Sequence, residues 1–198
     1  MHINDFDYIF EGAYDKYSFK AIFVCGLPGS GKNFIIEKMG FAEKGFKIND
    51  IDQIIEYLGK LNYIDYNKAL NINLKRQNIW AKNRLGLVIN ITGRNSFLTL
   101  KVNNYLRELG YDTMMIFVDV DKTLAHQRIQ QRYKNQLSTT GRGRDVDNSY
   151  FNLTSNELEK NKIVFKNAFG KNFIEIFNGN DLTAFYKPLL KKVNEFLN

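Results

Sequence analysis

The sequence predicts a three-layer α/β/α sandwich built on a mainly parallel, five-stranded sheet. Two observations carry this. Five short apolar segments recur along the 198 residues, most of them followed by a stretch with helical spacing, and the first segment runs straight into a glycine-rich turn. Alternating strands and helices imply crossover connections, which cover both faces of a parallel sheet.

Lys20-Ala21-Ile22-Phe23-Val24-Cys25 is an apolar run that reads as a buried strand. Phe34, Ile35 and Met39 give an apolar side to a helix over 33–39, with Gly40 as its stop. Phe46-Lys47-Ile48 is a short second strand leading to Asp50 and Asp52, and Ile54, Ile55, Tyr57 and Leu58 predict a helix beyond them. Residues 59–84 are polar and rich in Asn and Lys; helices are placed there on the approximate spacing of Leu70, Ile72, Leu74 and Ile79. Leu85 to Ile91 is a third strand, ending at Thr92-Gly93-Arg94.

Ser96 is the expected cap of the next helix, whose stripe is Leu98, Val102, Tyr105, Leu106 and Leu109, and Gly110 ends it in the left-handed conformation. Thr113 to Val118 is the fourth strand, with Asp119 and Asp121 at its end. A helix over 121–134 follows, then a Gly/Ser/Thr/Arg-rich loop over 135–147 and a helix over 150–168. Phe173 to Phe177 is the last strand. Asp181 is the expected cap of a final helix that buries Leu189, Leu190, Val193, Phe196 and Leu197. Neither a repeat nor a linker interrupts the pattern, so residues 1–198 are expected to form a single domain with 135–147 as a movable lid.

Composition fits this class. Hydrophobic residues make up 44% and charged residues 25%, with sixteen Phe and eleven Tyr to fill a core. No apolar run reaches membrane-spanning length, and Met1 to Asp5 lacks the basic start of a secretory signal, so a cytoplasmic setting is expected. Cys25 is the lone cysteine, which excludes an intrachain disulfide and a multi-cysteine metal site. His2 and His126 do not suggest a metal site on their own, and Trp80 reads as a packing residue. The net charge of +7 is uneven: Asp5, Asp7, Glu11 and Asp15 make the start acidic, whereas Arg128, Arg132, Lys134, Arg142 and Arg144 make a basic stretch. Such a chain attracts phosphates of any kind.

The glycine-rich turn is the most informative segment. Gly26-Leu27-Pro28-Gly29-Ser30-Gly31-Lys32-Asn33 fits G-x-x-x-x-G-K-[ST] except at its last position. The glycines let backbone N–H groups turn inward around a phosphate without an intervening Cβ, and the following helix presents its positive end to the same anion. Lys32 then reaches the β- and γ-phosphates as a point charge. This predicts a nucleoside triphosphate, ATP with Mg2+, bound by Gly26, Pro28, Gly29, Ser30, Gly31, Lys32 and Asn33. Asn33 stands where a Ser or Thr hydroxyl usually meets magnesium.

Between about Lys20 and Asn178 the sequence resembles the P-loop kinases, and within them the zeta-toxin-like kinases and related kinases of bacteriophages. The resemblance rests on Gly26–Lys32, Asp52 with Glu56, Thr92-Gly93, Leu109-Gly110-Tyr111-Asp112, the Arg128/Arg132 pair and Arg144-Asp145-Val146. It implies transfer of a γ-phosphoryl group to a hydroxyl or phosphate acceptor. It also implies that the acid after strand two acts as base or positions the acceptor; Asp52 matches best and Asp50 is the fallback. The end of strand three usually carries an Asp that helps to hold magnesium, and here it is Asn90. The metal is then expected at Asn33 and Asp52, with Asp50 as a further candidate.

Arg128 and Arg132 lie four apart on one helix face, while Arg142 and Arg144 sit among glycines in the loop. Arginines brought in by a lid can stabilise charge on a transferring phosphoryl group, and closure excludes water. Lys32, Asp52, Arg128, Arg132 and Arg144 are therefore the candidate catalytic residues. Two other readings remain: a nucleotide-binding regulatory module without turnover, favoured by Asn33 and Asn90, and a kinase acting on nucleic acid, which the charge permits but does not demand. The acceptor and the oligomeric state are not specified by the sequence.

Overall fold

The computed structural model describes residues 16–60, 65–141, 143, 145–179 and 183–198. Its strands are β1 (Lys20–Gly26), β2 (Lys47–Asn49), β3 (Leu87–Ile91), β4 (Asp112–Asp119) and β5 (Phe173–Phe177). Its helices are α1 (Lys32–Lys38), α2 (Ile51–Lys60), α3 (Tyr66–Lys82), α4 (Ser96–Glu108), α5 (Lys122–Thr140), α6 (Asn148–Phe169) and α7 (Thr183–Leu197). The strands form one sheet in the order β2-β3-β1-β4-β5, and each neighbouring pair is parallel. The α/β expectation, with five strands and helices on both faces, holds.

Strand periodicity explains the layers. Alternate residues of a strand point to opposite faces. Phe23, Cys25, Leu87, Ile89, Met115 and Phe117 pack against Leu106 of α4, Ala125 and Ile129 of α5, and Leu158 and Phe165 of α6. Ile22, Val24, Val88, Ile116 and Ile176 face the other way, onto Ile35 of α1, Met39 just after it, and Leu189 and Val193 of α7. The register pairs Val24 with both Asn90 and Ile116, and Gly26 with Val118. Gly26, Asn90 and Asp119 therefore emerge together at the carboxyl edge of the sheet, where ligands of open α/β sheets bind.

Several local expectations need correction. Asn95, not Ser96, caps α4: its side chain accepts the Leu98 N–H, one residue earlier than expected. Of the expected stripe Leu106 is buried and Val102, Tyr105 and Leu109 pack partly buried on the core, but Leu98 is exposed, and polar Thr99 and Asn103 are buried as well. Helix α5 continues past 134 to Thr140, because the polar run Asn135 to Thr140 carries no breaker before Gly141, which takes the left-handed cap position. The loop expected over 135–147 therefore shrinks to the residues after 140. Region 59–84 divides into the end of α2 and α3; Leu70, Ile72, Leu74 and Ile79 are exposed, and α3 buries Ala69, Gln77 and Ala81. Arg142, Arg144 and Asp181 lie outside the described residues, as do the acidic first segment and His2.

Candidate active site

The turn between β1 and α1 is shaped by what its glycines allow. Gly29 and Gly31 have φ of 80° and 89°, a region that side-chain-bearing residues rarely occupy. A Cβ on Gly26 would overlap the Val118 carbonyl oxygen, and one on Gly29 would overlap that of Ala125. One on Gly31 would overlap the Asn178 side-chain amide nitrogen. The turn is thus pressed from below by β4, α5 and the residue after β5. Gly31 is the N-cap of α1 and gives no side-chain cap, so the first amides of the helix remain available to an anion.

Lys32 is half-buried at this turn, and its Nζ donates to the carbonyls of Gly26 (2.9 Å) and Leu27 (3.0 Å). Burial lowers its pKa from the usual 10.5 to about 8; Asp52 and Asp50 pull it back up, and Arg132 pushes it further down. Lys32 therefore sits within electrostatic reach of both acids and of the α5 arginine. Cys25 beneath it is buried, and burial pushes its thiol up to about 12, so it is a packing residue and not a nucleophile.

The ends of β2 and β3 contribute a chain of amides and a carboxylate. Asn90 Nδ2 donates to Asn33 Oδ1 at 2.7 Å and to Asp50 Oδ2 at 2.9 Å. Asp50 is buried, and its other oxygen accepts the Asp52 N–H at 2.9 Å. Burial raises the Asp50 pKa and the Asp52 charge adds to the rise, while the two hydrogen bonds hold it down. Asp52, half-buried in the first turn of α2, faces the lysine side of the cleft. Arg76 of α3 steadies this edge from behind: its Nη2 donates to the Ile48 carbonyl (3.3 Å), and its guanidinium lies 4.7 Å over the Trp80 ring. Trp80 packs, as expected.

The two α5 arginines behave differently. Arg128 donates to the carbonyls of Asn178 (3.1 Å) and Gly179 (2.8 Å), tying α5 to the exit of β5. Arg132, one turn further, is the one whose charge is felt at Lys32. His126 packs edge-on against Phe151. Among the described residues no three His, Cys, Asp or Glu side chains gather as a metal site. The oxygen-rich edge of Asn33, Asp50 and Asp52 is nonetheless of the donor type that magnesium accepts while keeping several waters.

Residues that the sequence did not single out complete the site. Asn161 of α6 donates through Nδ2 to the carbonyls of Gly93 (3.0 Å) and Arg94 (2.8 Å), fixing the turn after β3. Arg94 lies 5.0 Å over the Tyr150 ring. Asn178 is buried and joins three elements: its N–H donates to the Asp119 carbonyl (2.8 Å), its Nδ2 to the Ser30 carbonyl (2.7 Å), and its own carbonyl accepts from Arg128. Asn follows many strands for reasons of turn chemistry alone, so only the fold could reveal this use.

A family model described as zeta toxin matches residues 76–190, more than half of the chain. The match begins within α3 and does not include the glycine-rich turn. Among curated proteins, none matches the sequence. Of the solved structures that resemble it, a candidate kinase from Chloroflexus aurantiacus aligns with a TM-score of 0.66 at 12% identity, covering 91% of this chain and 100% of that one. The PezAT chromosomal toxin–antitoxin system of Streptococcus pneumoniae aligns at 0.56 and 15%, covering 97% of each chain. Deoxyadenosine kinase from M. mycoides, solved with bound dATP, aligns at 0.54 and 17%, covering 88% of this chain and 99% of the other. At these identities the structures establish a shared fold.

Proposed function

The chain belongs to the zeta toxin family, and from that premise we propose that it is an ATP-dependent kinase acting on a hydroxyl or phosphate acceptor. The observation that carries the reading is the glycine turn, closed from below at Gly26, Gly29 and Gly31 and bearing Lys32 at its mouth. A glycine turn that admits no Cβ on its packed underside, followed by helix amides without a side-chain cap and an ammonium group, fits a triphosphate. On binding, Lys32 would exchange its contacts with Gly26 and Leu27 for β- and γ-phosphate oxygens.

In the reaction the acceptor oxygen bonds to the γ-phosphorus, the bond from that phosphorus to the ADP oxygen breaks, and the acceptor's proton passes to Asp52 or, for an ionised phosphate, is already gone. Arg132 would stabilise the equatorial charge, with Arg144 as a further candidate, while Arg128 ties α5 to the carbonyls of residues 178 and 179. Asn33 and Asp52 would hold magnesium, with Asp50 behind them, and the ion would neutralise charge on the β- and γ-oxygens. The reading takes residues 1–198 as one catalytic unit.

Incubation with labelled ATP and candidate acceptors tests it. Native protein should transfer label, Lys32→Ala should lose nucleotide binding, and Asp52→Ala should bind ATP yet fail to turn over. Equal transfer by all three would remove the mechanism. A second reading is a nucleotide-binding module without turnover, favoured by one observation: Asn33 Oδ1 already accepts a hydrogen bond from Asn90. It predicts ATP binding that a chelator hardly weakens.

A further inference from the structure

We propose that Asn178 is a positioning residue for the phosphate cradle, aiming the Gly31 amide at the bound anion although it does not touch the nucleotide. The inference rests on the nucleotide-binding reading above. Ser30 and Gly31 are joined by a trans peptide, in which the C=O and N–H bonds point in opposite directions. Asn178 Nδ2 takes the Ser30 carbonyl at 2.7 Å from a position that is only 2% exposed, hence from beneath the turn. With that carbonyl drawn downward, the Gly31 N–H of the same peptide is turned the opposite way, away from Asn178.

The neighbourhood shows that this contact is specified and not incidental. Asn178 is itself held at both ends of its backbone, by the Asp119 carbonyl and by Arg128. It approaches so closely that only glycine fits at position 31. The Ser30 N–H is spent inside the turn on the Leu27 carbonyl (3.1 Å), so that amide is not on offer and the orientation of its neighbour matters more. Asn178 also lies between Arg128 and the turn.

The test compares native protein with Asn178→Asp and Asn178→Ala, titrated calorimetrically with ATP and with inorganic tripolyphosphate in the absence of metal. Aspartate keeps the shape but, when ionised, cannot donate to the Ser30 carbonyl. Both variants should bind both ligands at least about tenfold more weakly at mildly alkaline pH, the scale of one buried hydrogen bond lost. As the pH is lowered, Asn178→Asp should recover relative to native, because its protonated acid donates again; Asn178→Ala should not. If Asn178→Ala unfolds, as a thermal melt would report, the pH-dependent recovery of Asn178→Asp still decides. Native-like tripolyphosphate affinity in the variants, or a deficit in Asn178→Asp that is flat with pH, overturns the inference. Native protein that binds neither ligand would instead remove the nucleotide reading on which it rests.

Discussion

Replacing Lys32 by Met should raise stability relative to the native protein around neutral pH, with the gap narrowing as pH rises, while abolishing nucleotide binding, and the sign follows from burial. The folded-state pKa of Lys32 falls from 10.5 to about 8 because its ammonium is taken out of water. Between these values the unfolded chain holds a proton that the folded chain has released, so native stability rises with pH across that window. The full difference is on the order of 3 kcal/mol, at about 1.4 kcal/mol per pH unit. Below about pH 8 the protonated lysine stays desolvated, offset in part by the Gly26 and Leu27 carbonyls and by the charges of Asp52 and Asp50.

Methionine keeps the length and removes the titration. Urea denaturation of both proteins from about pH 7 to about pH 10 should show native stability climbing relative to Lys32→Met by up to about 3 kcal/mol. Other titrating groups cancel in the difference. ATP affinity should run the other way in the native protein, weakening above about pH 8 by up to tenfold per unit, since binding then requires proton uptake. A stability difference that is flat or falls with pH would refute the claim that Lys32 is held as a desolvated cation.

Three further outcomes follow from named contacts. Gly29→Ala should cost about 2 kcal/mol or more by thermal or chemical denaturation, because its Cβ meets the Ala125 backbone carbonyl and its φ is left-handed. Restoring Ser at 33 together with Asp at 90 should strengthen the magnesium dependence of ATP binding, read by calorimetry with and without chelator; an unchanged dependence would argue that the amide chain from Asn33 to Asp50 has no part in metal placement. Asn161→Ala should lower stability by about 1–3 kcal/mol, having stripped two hydrogen bonds from the Gly93 and Arg94 carbonyls, and a melting temperature equal to native would show that water replaces the amide there.

Much of the fold was legible because strands such as Ile22–Cys25 and Met114–Val118 are apolar on both faces, which only a sheet covered on both sides tolerates. The glycine turn was legible for the same kind of reason: its requirements are local, and a seven-residue spacing states them. Helix phase was harder. Polar Thr99 and Asn103 face inward on α4 and Leu98 outward, an arrangement invisible to a count of apolar residues. The same holds for α3, where Gln77 is buried because it accepts from Asn49, a partner twenty-eight positions away. The supporting side chains of the site, Asn161 and Asn178 above all, act across 68 and 148 positions of sequence, and nothing in a polar asparagine announces such a reach. Arg128 illustrates the limit from the other side: its spacing from Arg132 marked the helix face, but its guanidinium is spent on two main-chain carbonyls.

A crystal structure with a non-hydrolysable ATP analogue addresses the central claim most directly. The β-phosphate should lie inside the turn, within hydrogen-bond distance of the Gly31 and Lys32 amides, with Lys32 Nζ moved off the Gly26 and Leu27 carbonyls onto phosphate oxygen. A triphosphate bound elsewhere, or a turn that stays closed over its lysine at saturating analogue, would contradict it.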